Sequence, residues 1–127
     1  MAKAAKKTLL IEDDPDQSYL YSTKFQLEGL DIISAKSGSE GLSKAIAEKP
    51  DLILLDVVMN DMDGMEVLGK LRKNRDTKNI PVVLLTNLAK KELRERSKKL
   101  GVIGFWPKAE ILPQEIADRV KNILGIK

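Results

Sequence analysis

The chain has 127 residues, 43% of them apolar and 32% charged, with 22 basic against 19 acidic side chains for a net charge of +3. This is the size and balance of one water-soluble globular domain, too short for two ordinary ones, and a lysine excess spread along the chain is no signature of nucleic-acid binding. The absence of cysteine and histidine excludes disulfides, thiolate metal sites, imidazole bases and histidine phosphotransfer from this chain, leaving carboxylate, hydroxyl and lysine chemistry.

In chain order, the basic start MAKAAKK meets only a short apolar run before Glu12, so it reads as a solvated tail rather than a leader. No segment approaches the ~20 apolar residues of a membrane span. A first strand is expected over TLLI at 8–11. Asp14 as N-cap and Pro15 at the first helical position then open a helix that Gly29 closes, with Tyr19, Leu20, Phe25 and Leu27 on its apolar side. DIISA at 31–35 is the second strand, followed by a helix from Ser39 with Leu42, Ala45, Ile46 and Ala47 as its face and Pro50 as its stop. DLILLD at 51–56 is the third strand, and Met65, Val67, Leu68 and Leu71 stripe the third helix. IPVVLLT at 80–86 is the fourth strand. The mixed-charge run AKKELRERSKKLG carries a more polar fourth helix, marked by Leu88, Leu93 and Leu100, with a solvated outer face. IGFW at 103–106 is a fifth, short strand, and Ile116, Val120, Ile123 and Leu124 stripe a last helix beginning near Pro113.

Strand and helix alternate five times, which predicts an α/β fold, a parallel sheet with helices on both faces, as one domain over 1–127. The runs at 51–56 and 80–86 are apolar enough to be interior strands. In such sheets the ligand site lies beyond the carboxyl ends of the strands. There the sequence places Glu12, Asp13 and Asp14 after the first strand, Asp56 ending the third, Thr86 ending the fourth and Lys108 after the fifth.

Carboxylates gathered at one rim repel one another, and a hard cation such as magnesium, which takes oxygen ligands, relieves that repulsion. Glu12, Asp13 and Asp56 supply oxygens, with a backbone carbonyl just after Asp56 as a further one. An aspartate can attack phosphorus to form an acyl phosphate, so Asp56 is the candidate nucleophile. Lys108 would meet one phosphoryl oxygen as a point charge, and the Thr86 hydroxyl would donate to another. The blander readings are that Asp13 and Asp14 cap the first helix, that Asp56 and Thr86 are strand-end residues, and that Lys108 is solvated. Asp61 and Asp63 read as loop solubility and turn formers, Gly64 as a place of unusual backbone angle or close approach, and Trp106 as packing first and a partner contact second.

The ordered set EDD, then Asp56 with MDG close behind, then Thr86, then a lysine after an aromatic, at intervals of 43, 30 and 22 positions from Asp13, resembles the receiver domain of two-component response regulators. The likeness covers about Lys7 to Leu124. It implies a flavodoxin-like (βα)5 doubly wound five-stranded sheet of order 2-1-3-4-5, the order of the family's chemotaxis member. It also implies that Asp56 accepts a phosphoryl group from the phosphohistidine of a histidine kinase or phosphotransfer protein, with magnesium (Mg2+) held by Glu12, Asp13, Asp56 and the carbonyl of Val58. Thr86 and Phe105 match the family's switch pair, which alters the surface of the fourth helix, fifth strand and fifth helix; a homodimer through that surface would fit the same pattern. A cytoplasmic protein that catalyses only its own phosphorylation and dephosphorylation is implied, with no direct nucleic-acid or membrane contact. Because no further domain follows Lys127 in this sequence, signalling by protein contact is expected.

Three positions differ from the family pattern. Asn60 stands where a proline is common, Asn87 where the residue after the switch threonine is usually small, and Ala109 where a proline usually follows the lysine. A non-proline cis bond costs about 3–4 kcal/mol, so a trans Lys108–Ala109 bond is expected. Two other functions compete: a docking module that keeps the fold without using phosphate, and a magnesium-dependent phosphatase attacking through Asp56. The haloacid-dehalogenase-like hydrolases carry a second acid two residues after the nucleophile, where this chain has Val58.

Overall fold

A computed structural model describes residues 6–88 and 90–126. Most of the MAKAAKK tail, Ala89 at the start of the charged run and Lys127 lie outside the described residues. The elements are β1 (Lys7–Ile11), α1 (Pro15–Leu27), β2 (Asp31–Ala35), α2 (Gly38–Glu48), β3 (Leu52–Leu55), α3 (Gly64–Lys73), β4 (Val82–Thr86), α4 (Lys91–Lys99), β5 (Gly104–Pro107) and α5 (Pro113–Leu124), with a single 3-10 turn at Lys108–Glu110 between the last two. The five strands pair in parallel in the order β2-β1-β3-β4-β5, as expected.

Alternation along each strand sends neighbouring side chains to opposite faces, and this divides the interior into two cores. Leu9, Ile11, Ile53, Leu55, Val82 and Leu84 face a layer containing Ala45 of α2, Leu93 of α4 and the buried stripe Met65, Val67, Leu68 and Leu71 of α3. Leu10, Leu52, Leu54, Val83 and Leu85 face the other way, toward Tyr21 and Phe25 of α1 and Ile116, Ala117, Val120 and Leu124 of α5. Strands β3 and β4 are buried throughout, because helices cover both of their faces. Among the described residues no helix is long and apolar enough to cross a membrane.

Asp14 accepts from the N–H groups of Asp16 and Gln17, and Pro15 follows it at the first helical position of α1. The inner face of this helix differs from the sequence expectation. Phe25 packs inward as expected, but its companion is Tyr21, one turn earlier with its ring edge to face, whereas Tyr19, Leu20 and Leu27 are exposed. A helix buries the stripe its neighbours cover, and here α5 and the sheet select the Tyr21/Phe25 stripe over the Tyr19/Leu20/Leu27 one. In α2, Ala45 is buried and Leu42 packs against the same core as expected, but Ile46 and Ala47 are exposed and Gly41 joins the contact in their place. A Cβ at Gly41 would lie 2.6 Å from Cδ1 of Ile11, so glycine lets α2 settle directly on β1. Helix α4 buries only Leu93 and Ser97 and leaves its charges in water, and Trp106 packs in the second core with the Arg119 guanidinium 5.4 Å over its ring.

Candidate functional site

The carboxyl rim is built by register. Ile11 of β1 lies opposite Leu55 of β3, so the next residues, Glu12 and Asp56, leave the sheet side by side. Both are held one step beyond the strands, Glu12 by its N–H on the Ala35 carbonyl at 3.1 Å and Asp56 by its N–H on the Ile11 carbonyl at 3.1 Å. Of the three consecutive acids, Asp14 turns away to cap α1, while Glu12 and Asp13 join Asp56. Each of these three carboxylates presents an oxygen within 4.8 Å of the others.

From β5, Lys108 reaches the same place. Its ammonium donates to Glu12, to Asp56 Oδ2 at 3.0 Å and to Gln17 Oε1 at 2.6 Å, which occupies all three of its protons. The lysine and Glu12 side chains are 8% and 2% exposed, so this contact is shielded from water. Burial pushes the Glu12 carboxyl above its ordinary value, opposed by the Lys108 bond and by the Asp14 N–H on its second oxygen. Burial would lower Lys108, but the hydrogen bond to Glu12 and the charges of Asp56 and Glu12 outweigh it and hold the ammonium above the usual lysine value. Three carboxylates against one ammonium leave the pocket negative, and the donors are hard oxygens, so the arrangement suits a divalent cation.

The cavity over these groups has a volume of about 330 Å³ and is also lined by Val58, Thr86 and Asn87. Thr86 is fully buried at the end of β4, and its Oγ1 accepts from the Leu88 N–H at 3.2 Å. Phe105 does not line this cavity. It lies opposite Leu84 on β5, on the same side of the sheet as Thr86 and two positions back in register, half-buried beneath the Arg94 guanidinium at 4.8 Å. The structure therefore brings Glu12, Asp13, Asp56, Val58, Thr86 and Lys108 to one pocket and sets Phe105 behind it.

The loop between β3 and α3 is tied down more firmly than its sequence suggested. Asp13 Oδ2 accepts from the Asn60 N–H at 2.8 Å. Asp61 caps α2 instead of standing free, accepting from Gly38 N–H at 2.9 Å and from Ser39 N–H and Oγ at 3.1 and 3.0 Å. These bonds hold the Asp61 carboxyl below its ordinary value. Asp63 caps α3 through the Met65 N–H at 2.6 Å. Of the two roles open to Gly64, close approach is the one it fills: its φ is not positive, and a Cβ there would stand 2.2 Å from the Asp56 carbonyl oxygen. Among the described residues no peptide bond is cis, so Lys108–Ala109 is trans and still delivers the ammonium to Asp56. Gln17 was missed by sequence reasoning; its only signal was its place in the first turn after the acid run.

The family model described as the response regulator receiver domain matches residues 8–121. Sporulation initiation phosphotransferase F of Bacillus subtilis is 31% identical over 122 residues, covering 96% of this chain and 96% of its own. The alkaline phosphatase synthesis transcriptional regulatory protein PhoP of the same organism is 35% identical over 119 residues, covering 94% of this chain and 48% of its own. The chain thus spans about half the length of several curated regulators it matches. Among solved structures, a CheY-like receiver domain protein from Methanospirillum hungatei superimposes with a TM-score of 0.87 at 26% identity, covering 96% of this chain and 95% of that one. The phosphorylated cyanobacterial phytochrome response regulator RcpA does so with a TM-score of 0.81 at 26% identity, covering 94% and 93%.

Proposed function

The chain belongs to the response regulator receiver domain family, and we propose that Asp56 is its phosphoacceptor, charged by the phosphohistidine of a histidine kinase or phosphotransfer protein. As a receiver domain it serves phosphorylation-dependent two-component signalling. The observation that carries the finer reading is the pairing of Asp56 Oδ2 with the Lys108 ammonium at 3.0 Å, beside Glu12 and Asp13 in a pocket open to solvent.

In the proposed reaction a carboxylate oxygen of Asp56 attacks phosphorus, the new O–P bond forms as the N–P bond of the donor breaks, and the imidazole leaves with the electron pair. Lys108 keeps its place by exchanging Asp56 Oδ2 for a phosphoryl oxygen, and its charge offsets the equatorial oxygens. Glu12, Asp13 and Asp56, with the Val58 carbonyl, would hold magnesium, which when bound offsets the negative charge of the carboxylates and of the incoming phosphoryl group. Their hard oxygens, brought within 4.8 Å of one another, fit that ion.

Thr86 gives up the Leu88 N–H and turns its hydroxyl to the phosphoryl group; space vacated at the end of β4 is then open to the Phe105 ring. Phe105 leaving Arg94 would change the face of α4, β5 and α5, which is the proposed contact surface for a downstream protein or a second copy. On this reading the protein is no general hydrolase and turns over only its own acyl phosphate.

The test is incubation with magnesium and acetyl phosphate, or with beryllofluoride, followed by Trp106 fluorescence and intact mass. A single phosphate adduct that disappears in Asp56→Asn is expected. No adduct at millimolar donor would favour the docking module, and steady turnover of unrelated phosphomonoesters would favour the phosphatase.

A further inference from the structure

The side-chain oxygen Asn87 Oδ1 accepts a hydrogen bond from the backbone N–H of Ala109 at 2.7 Å. Sheet pairing between β4 and β5 ends where Thr86 lies opposite Pro107. Asn87 is the next residue after one strand, and Ala109 stands two beyond the other, directly after Lys108. The bond thus carries the link between the two chains past the last pair of the ladder, with a side chain doing what backbone groups do inside the sheet. Both residues are exposed, so core packing does not account for the contact.

Lys108 is held on one side by Pro107 in the sheet and on the other by this bond. A lysine stem has four rotatable bonds and no fixed direction of its own, so the reach of its ammonium depends on where its backbone is anchored. On the opposite side of Asn87, the Leu88 N–H rests on Thr86 Oγ1. The short segment 86–88 therefore bonds the threonine hydroxyl through Leu88 and the lysine loop through Asn87.

We propose that Asn87 is a positioning residue: its side-chain oxygen fixes Ala109, sets the reach of the Lys108 ammonium toward Asp56, and links movement of Thr86 to the lysine loop. The inference rests on Asp56 being the phosphoacceptor for its effect on rate, but not for the contact itself. An alanine at 87 removes the acceptor, and a proline at 109 removes the donor.

A double-mutant cycle of Asn87→Ala and Ala109→Pro tests it. The first measurement needs no phosphodonor: hydrogen exchange of the Ala109 amide in the full chain, read by NMR. Asn87→Ala is expected to speed that exchange roughly fivefold, the size of one ordinary protein hydrogen bond, while Asn87→Asp, which keeps an oxygen acceptor, holds it slow. The second is the rate of Asp56 phosphorylation by acetyl phosphate, followed by Trp106 fluorescence. Asn87→Ala is expected to slow it about fivefold in the native background and by less than about twofold when Ala109 is already proline. Unchanged Ala109 exchange in Asn87→Ala, or equal rate effects in the two backgrounds, would overturn the proposal. If even the native chain takes no phosphate, the phosphoacceptor reading fails, and the amide measurement still decides whether Asn87 holds the loop.

Discussion

The carboxylate of Asp13 accepts a hydrogen bond from the backbone N–H of Asn60 at 2.8 Å, so an acid of the first strand end is held by the loop that follows the third. This bond uses one oxygen of Asp13 and leaves the other for the pocket shared with Glu12 and Asp56. Structure and charge are separable at this residue.

Asp13→Asn keeps an oxygen for the Asn60 N–H and removes one of three crowded negative charges. In metal-free buffer its melting temperature is expected to equal or exceed that of the native chain. Its magnesium affinity, from a titration followed by Trp106 fluorescence, is expected to fall at least about tenfold, or about 1.4 kcal/mol. An unchanged magnesium affinity would remove Asp13 from the ion site.

Lys108→Met leaves the Glu12 carboxyl, 2% exposed, without its opposite charge. Removing one partner of a buried pair costs about 3 kcal/mol, read as a shift in the urea midpoint. Lys108→Arg keeps the charge but replaces a compact ammonium with a planar fork, so most of the stability returns while phosphorylation stays slow. A methionine variant as stable as the native chain would show that the ammonium is not paired with Glu12 in solution.

Asp61→Ala removes the cap that the β3–α3 loop places on α2. The folded carboxyl titrates below its ordinary value of 3.8, held there by the Gly38 and Ser39 N–H groups. A depressed folded value contributes stability that is fully present above the unfolded one and is lost as pH falls through the folded one. The gap in melting temperature between native and variant is therefore expected to be constant from neutral pH down to about 4 and to close below that. A gap that persists unchanged at pH 2 would mean the carboxylate charge is not what holds the helix.

Gly64→Ala forces a Cβ to within 2.2 Å of the Asp56 carbonyl oxygen and 2.6 Å of Val57 Cα, both backbone atoms that cannot swing aside. The loop must shift, at a cost of about 1–3 kcal/mol, and the acceptor carboxylate shifts with it. Denaturant unfolding and the acetyl phosphate rate should both fall; a variant altered in neither would show that the loop yields freely.

Several elements were legible because their causes are local. The strand runs, the Asp14–Pro15 start of α1, the Met65/Val67/Leu68/Leu71 stripe and the Pro113 start of α5 each depend on residues within a few positions of one another. The candidate acids, hydroxyl and ammonium were also legible, since a parallel sheet fixes which chain ends share a rim. Residues whose partners lie far along the chain were not. Asp61 reads as a loop acid from sequence because its partners Gly38 and Ser39 belong to a helix more than twenty positions earlier. Gln17 gave no sign of meeting Lys108, which lies 91 positions away.

The sequence by itself determined the alternation of strand and helix and the chemistry available at the strand ends, because period, capping and residue type are properties of short segments. Only the tertiary structure decided that Tyr21 would join Phe25 in the core while Tyr19, Leu20 and Leu27 stayed exposed, that Asp61 would reach back to the start of α2, and that Lys108 would spend its three protons on Glu12, Asp56 and Gln17. Those choices are set by which surfaces the sheet register and the neighbouring helices bring into contact, and that competition is settled only when distant segments pack together.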